Sequence, residues 1–203
     1  MPTKAFEQFK KTIQRSEGLI NFYIRNKNMK GISFPKDIVR GAVVLSVAAF
    51  DAYVSNVFVE KLIPYIKNNP IKKDMVEFLE ESGLTTKLAI ELMGSKDPYK
   101  KIRKLADNYY MTHATQTFDS VNKLFGRYGI KDIVTKAVTA IKRKDAVQSI
   151  EELLQRRHHI AHNGDYNKTG KILEIDEKNI KKCVKTLELF VGSLDEIIEK
   201  QVA

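Results

Sequence analysis

The sequence predicts an all-α fold: a bundle of four long helices around a shared core, joined through short accessory helices. Three observations carry that expectation. Apolar residues recur three and four apart along most of the chain, clusters of Gly and Pro interrupt that rhythm, and Gly41 to Phe50 is apolar on nearly every side, as a helix packed by several neighbours must be. No repeat in the roughly 20 to 50 residue range and no low-complexity tract competes with this reading. With 203 residues, 43% of them hydrophobic, the chain can bury a substantial core and reads as one domain over 1–203.

The first helix is expected from Ala5 to about Asn26, where Phe6, Phe9, Ile13, Ile20, Tyr23 and Ile24 make one apolar face. Gly31 and Pro35 end it. The second should start near Lys36 and Asp37 and run to about Ile66, with Pro64 disturbing its last turn. Its stretch Gly41 to Val59 is long enough to cross a bilayer. Asp51 stands in the middle, however, at a cost of roughly 2.5 to 3.5 kcal/mol for a carboxylate at the centre of a spanning helix, so a buried central helix is the better reading. Asp51 itself reads first as a carboxylate at a groove, solvated or paired with a cation.

Ile71 to Glu81 forms a short acidic helix ended by Ser82 and Gly83, and Leu84 to Met93 another; residues of about 70–95 read as a helical insertion or lid. Beyond Pro98 come further helical patterns, separated by the turn Gly126 to Gly129. In that region Tyr109, Tyr110, Phe118, Phe125 and Tyr128 keep core spacing more than they suggest stacking on bases, and His113 reads as loop surface. Asp145 is placed to cap a helix through His162. Asp176 is placed to cap the last, where Ile180, Cys183, Val184, Leu187, Val191, Leu194 and Ile198 form a continuous seam.

The single cysteine excludes an internal disulfide framework and a cysteine-based zinc site, and it fits a reducing cytoplasm. Met1 to Lys11 reads as the polar start of an amphipathic helix and not as a signal peptide. The net charge of +10 favours an acidic partner, nucleic acid ahead of a membrane surface. Residues 96–144 carry twelve Lys and Arg against four Asp, so +8 of the +10 is localised there. A solvated basic surface would give the same count without binding anything.

The chemistry-bearing stretch is Arg156-Arg157-His158-His159-Ile160-Ala161-His162-Asn163-Gly164-Asp165, at the end of an apolar helical pattern. Two arginines and three histidines within seven residues exceed what a helix C-terminus needs. Taking Val147, Ile150 and Leu154 as the buried stripe puts Arg157 and Ala161 inward, and Arg156 outward with Ser149 and Glu152. His158 and His162, four apart, share a flank, whereas His159 faces water. A guanidinium can hold two phosphate oxygens while an imidazole moves the proton of an attacking hydroxyl, a combination that suits cleavage of RNA through its own 2′-hydroxyl. A zinc site is disfavoured, since the run lacks the glutamate of His-Glu-x-x-His. No metal or other cofactor is expected.

On Arg157-His158-His159-Ile160-Ala161-His162 followed by Asn163-Gly164, with Val39 to Leu45 and Phe50 to Val54 in the second helix and Leu124-Phe125-Gly126 before the final helices, the chain resembles the HEPN superfamily and, within it, the RiboL-PSP-HEPN group. That resemblance implies a HEPN-type helical bundle. It implies a homodimer with the site at the dimer interface, and metal-independent endoribonuclease activity in toxin–antitoxin or phage-defence systems, with an antitoxin protein as a partner in the former. It makes Arg157 the phosphate-binding residue, His162 the catalytic imidazole and His158 the polar residue after the arginine. Asp51, Asn163 and Tyr166 are supporting candidates. Some relatives keep a tyrosine two residues after the histidine, where this chain has Gly164. The alternative is a non-catalytic helical module that binds RNA or a protein through the same residues.

Overall fold

The computed structural model describes residues 1–30, 35–113 and 117–202, and among these residues the chain forms nine helices and no strand. They are α1 (Lys4–Asn26), α2 (Asp37–Asn68), α3 (Lys73–Glu81), α4 (Thr86–Met93), α5 (Pro98–Thr112), α6 (Phe118–Gly126), α7 (Ile133–Ala140), α8 (Ala146–Asn163) and α9 (Glu177–Gln201). The four longest, α1, α2, α8 and α9, pack on one another, and the all-α expectation holds. Gly31 to Phe34, within the break expected between α1 and α2, lie outside the described residues.

α2 is the axis of the bundle. It touches α1, α5, α6, α8 and α9, which is why its sequence has no wet face over much of its length. It is apolar and long enough to cross a membrane by composition, yet most of that stretch is buried inside the bundle. Phe50, Val54, Val57, Phe58 and Leu62 are fully buried, and the helix passes through Pro64 to Asn68. Phe58 anchors an aromatic cluster, its ring 4.7 Å from Tyr128, 5.0 Å from Phe78 and 5.6 Å from Tyr110. The Tyr128 hydroxyl donates to the Phe58 carbonyl at 2.5 Å. Core spacing was therefore the right reading of the aromatics in residues 96–144. Within the expected insertion, α3 buries Met75 and Phe78, whereas α4 leaves Ile90 and Met93 exposed.

The seam of α9 is buried at every expected position, Cys183 included, and Asp176 caps the helix by accepting from the Lys178 amide at 2.9 Å. Asp145 does not cap α8. Its carboxylate is drawn instead to Lys182 Nζ at 2.5 Å, because an ammonium on the neighbouring helix outcompetes a backbone amide for it. Burial followed by the Glu152 carboxylate pushes the Cys183 thiol up to about 11, so it is an inert core residue.

Three helices are tied together at Asp195 of α9. Its carboxylate accepts from the Thr3 amide at 3.1 Å, the Thr3 hydroxyl at 2.5 Å and the Tyr53 hydroxyl at 3.2 Å, while Thr3 in turn caps α1 through the Phe6 amide. Burial raises the Asp195 carboxyl above its ordinary range, outweighing these donors. The folded state thus holds the proton more tightly than the unfolded one. The stability this group adds is fully present below the unfolded carboxyl value of about 3.9 and is lost as pH rises through the raised folded value. Asp195→Asn cannot titrate. Urea unfolding of both proteins between about pH 3.5 and 7 should therefore show the stability difference moving in favour of the variant as pH rises through the acid range; a difference flat with pH would contradict this account.

Candidate functional site

The end of α8 is held by a carboxylate with no access to solvent. Asp165 is 0% exposed, and its Oδ2 accepts from Arg40 Nε of α2 at 2.7 Å and from a terminal nitrogen of Arg156 of α8 at 2.6 Å. The same two guanidiniums converge on the Leu173 carbonyl, at 2.6 Å from Arg40 and 3.0 Å from Arg156. The backbone is shaped to allow it. Gly164 (φ 58°) and Asp165 (φ 64°) both adopt the left-handed conformation, and the amides of both donate to the His159 carbonyl, closing the helix. Leu173 then donates its amide back to the Asp165 carbonyl at 2.8 Å. The loop between them is set by Asn167, whose side-chain oxygen accepts from the Thr169 and Lys171 amides at 3.0 and 2.9 Å.

This corrects the orientation expected for α8. Its buried residues are Ala146, Ser149, Ile150 and Leu153, with Ile160 packed against the core, whereas Val147 and Ala161 are exposed. The buried face is turned by about one residue from the one that Val147 suggested. Arg156 consequently does not face water. Its side chain is only 18% exposed, and it is the structural partner of Asp165.

Arg157, by contrast, is uncommitted. Its Nε is buried without a partner, and it makes no hydrogen bond or ion pair with any described residue. It lines a cleft of about 460 Å³ between α2 and α5 whose walls include Asp51, Asn56, Asp107 and Tyr110. Arg157 and Asp51 are thus brought to one cleft. His158 and His162 are brought to each other, their ring centroids 4.4 Å apart and tilted by 44°, and both are exposed. They do not line the cleft of Arg157. His159 is exposed as expected. Asn163 is the exposed last residue of α8, its carbonyl accepting from the Tyr166 amide, and the Tyr166 side chain is half-exposed beside Gly164.

Sequence reasoning missed Asp165 and Arg40 as site-building residues. A signal was present: an arginine inside an apolar helix requires an anion, and Asp165 follows the Asn163-Gly164 turn where a chain reverses. One further residue lost its expected role. Arg127, counted among the basic cluster, is buried, lying 4.5 Å over the Phe78 ring with a salt bridge to Glu81 at 3.2 Å. His113 lies at the surface as expected, stacked flat on Tyr109 at 3.9 Å.

The two adjacent arginines should separate cleanly in stability measurements. Asp165→Ala leaves two guanidiniums buried without their counter-ion and is expected to cost about 3–5 kcal/mol. Arg157→Ala removes a side chain with no polar partner and should cost no more than about 1 kcal/mol. Arg156→Ala, which leaves Arg40 on the carboxylate, should fall between them. Urea unfolding reads all three, and equal losses at positions 156 and 157 would overturn the division of roles.

No curated protein and no solved structure matches the chain. The profile of the RiboL-PSP-HEPN family matches residues 10–200, which spans α2, the cleft and the whole of α8, and a nuclease-like or RNA-related role accompanies that match. By the extent of that match, the chain belongs to the RiboL-PSP-HEPN family.

Proposed function

We propose that the protein is a metal-independent endoribonuclease that cleaves RNA by attack of the 2′-hydroxyl, leaving 2′,3′-cyclic phosphate and 5′-hydroxyl ends. The observation that carries this reading is Arg157: a guanidinium with a buried, unpartnered Nε, facing a cleft, beside the contacting pair His158 and His162. A partly buried guanidinium with no ion pair among the described residues can take an anion from outside, and a phosphodiester supplies two oxygens to it. In the reaction, Arg157 binds the scissile phosphate and stabilises the added charge of the transition state. His162 moves the proton of the 2′-hydroxyl or of the leaving 5′-oxygen, with His158 beside it.

Because the histidines lie outside Arg157's own cleft, the complete site is assigned to a homodimer, in which imidazoles of one copy approach the phosphate held by the other. Support for this comes from an open apolar groove of about 620 Å³ beside the end of α8, lined by Gly41, Val44, Leu45 and Ala48 of α2 with Ile160 of α8. A second copy seated there would cover an apolar stripe of α2 that the bundle leaves open and would bring two α8 ends together. The setting proposed is the cytoplasm, as a toxin or phage-defence effector, with an antitoxin protein as partner in the former case; family membership is what supports it. The same separation of histidines from Arg157 favours one second reading, a chain that grips RNA through Arg157 without cutting it.

Purified protein incubated with RNA in EDTA decides between them. Cleavage should persist in EDTA, and His162→Ala and Arg157→Ala should each lower the rate by about 10²–10⁴-fold. Cleavage abolished by EDTA, or undiminished in both variants, would refute the proposal. Leu45→Glu should yield a monomer by light scattering and lose activity with it; an active monomer would refute the shared site.

A further inference from the structure

The cleft of Arg157 does not end beside that residue. Asn56 and Val59 of α2 and Asp107 of α5 also line a second cavity, of about 330 Å³, so the two are continuous and form one groove running between α2 and α5 toward the start of α1. At the far end stands Arg103, one helical turn before Asp107 and therefore on the same face of α5, about 6 Å along its axis. Arg103 is exposed and makes no hydrogen bond or ion pair with any described residue. Of the acids beside it, Glu60 is already committed, accepting from the Lys4 and Ala5 amides at 3.2 and 3.1 Å and so satisfying first-turn donors that α1 cannot, while Asp107 shares the wall between the two ends. The groove therefore offers an uncommitted guanidinium at either end, Arg157 and Arg103. The helix that forms its wall belongs to the most basic part of the chain.

We propose that this groove is the track of a single RNA strand, with Arg103 binding a phosphate away from the one held by Arg157. The proposal rests on the ribonuclease reading of Arg157 and adds a binding subsite to it. Both cavities lie in the range of roughly 300–1,000 Å³ that takes small ligands, which suits a strand entering one nucleotide at a time and keeps a duplex off the groove floor. Arg103 makes no contact with the reacting atoms. Its loss should weaken binding and leave the chemical step intact.

The test uses the full chain and an unstructured RNA of about a dozen nucleotides, made uncleavable by 2′-O-methylation for binding measurements and left unmodified for kinetics. Each cation that neutralises a phosphate of a single strand contributes about 0.7 to the slope of log affinity against log salt. Arg103→Gln should lower that slope by about 0.7, raise Kd and KM several-fold and leave kcat unchanged. Lys87→Gln on α4, outside both cavities, should leave the slope as it is. If wild-type protein cleaves RNA and Arg103→Gln matches it in slope, Kd and KM, the groove is not the track and the ribonuclease reading stands. If wild-type protein binds the strand without cutting unmodified RNA, and Arg103→Gln lowers the slope, the track stands and catalysis fails. Wild-type protein that neither binds nor cuts overturns both.

Discussion

Asp165 is fully buried, and a carboxylate withdrawn from water persists only where cations and donors replace the hydration it has lost. Arg40 supplies one cation from α2 and Arg156 another from α8, so the last turn of α8 is bound electrostatically to the central helix. The Leu173 carbonyl occupies donors of both guanidiniums and brings the loop after α8 into the same knot. Every residue assigned to the chemistry lies within nine positions of Asp165 in sequence except Asp51, and Asp51 is on α2, the other helix that the knot grips. The relative position of Arg157 and its cleft is set by this contact. Its cost is visible in the backbone, where a non-glycine residue holds a positive φ.

α2 meets two demands. It must be apolar on all sides that other helices cover, and where coverage stops it faces solvent and the two clefts. The stripe Gly41, Val44, Leu45 and Ala48 is apolar and partly open, with Arg40 just before it turned inward to Asp165. That a helix apolar enough for a bilayer sits in a water-facing bundle follows from the number of neighbours around it, and Asp51 marks the turn at which the covered interior gives way to the cleft.

Much of this was legible in the sequence. The seam of α9 was, because seven apolar residues at helical spacing admit one orientation, and so was the central role of α2, because no other segment is apolar all round. The α8 orientation was not. Val147 is apolar but exposed, Ser149 is polar but buried, and a stripe counted from Val147 is out by one residue. Such an error is small for a core residue. Here it reversed the role of Arg156, because consecutive helix residues point about 100° apart. The Asp165 knot was illegible for a different reason: its partners are 125 residues apart in sequence on one side and 9 on the other, and no periodicity joins them. A buried arginine announces that an anion exists somewhere, without saying where.

The pair Arg156 and Arg157 shows what that 100° separation achieves. One guanidinium turns to the flank of α8 and is consumed by Asp165; the next points along the centre of the buried face, where α2 and α5 part to form the cleft. Had Asp165 been absent, Arg156 would have carried the same demand for an anion as Arg157, and two unneutralised cations at one helix end would repel each other and pull the helix toward solvent. Neutralising the first is what makes the second tolerable. The fold can therefore keep Arg157 without a polar partner among the described residues, beside a cation whose charge is already met.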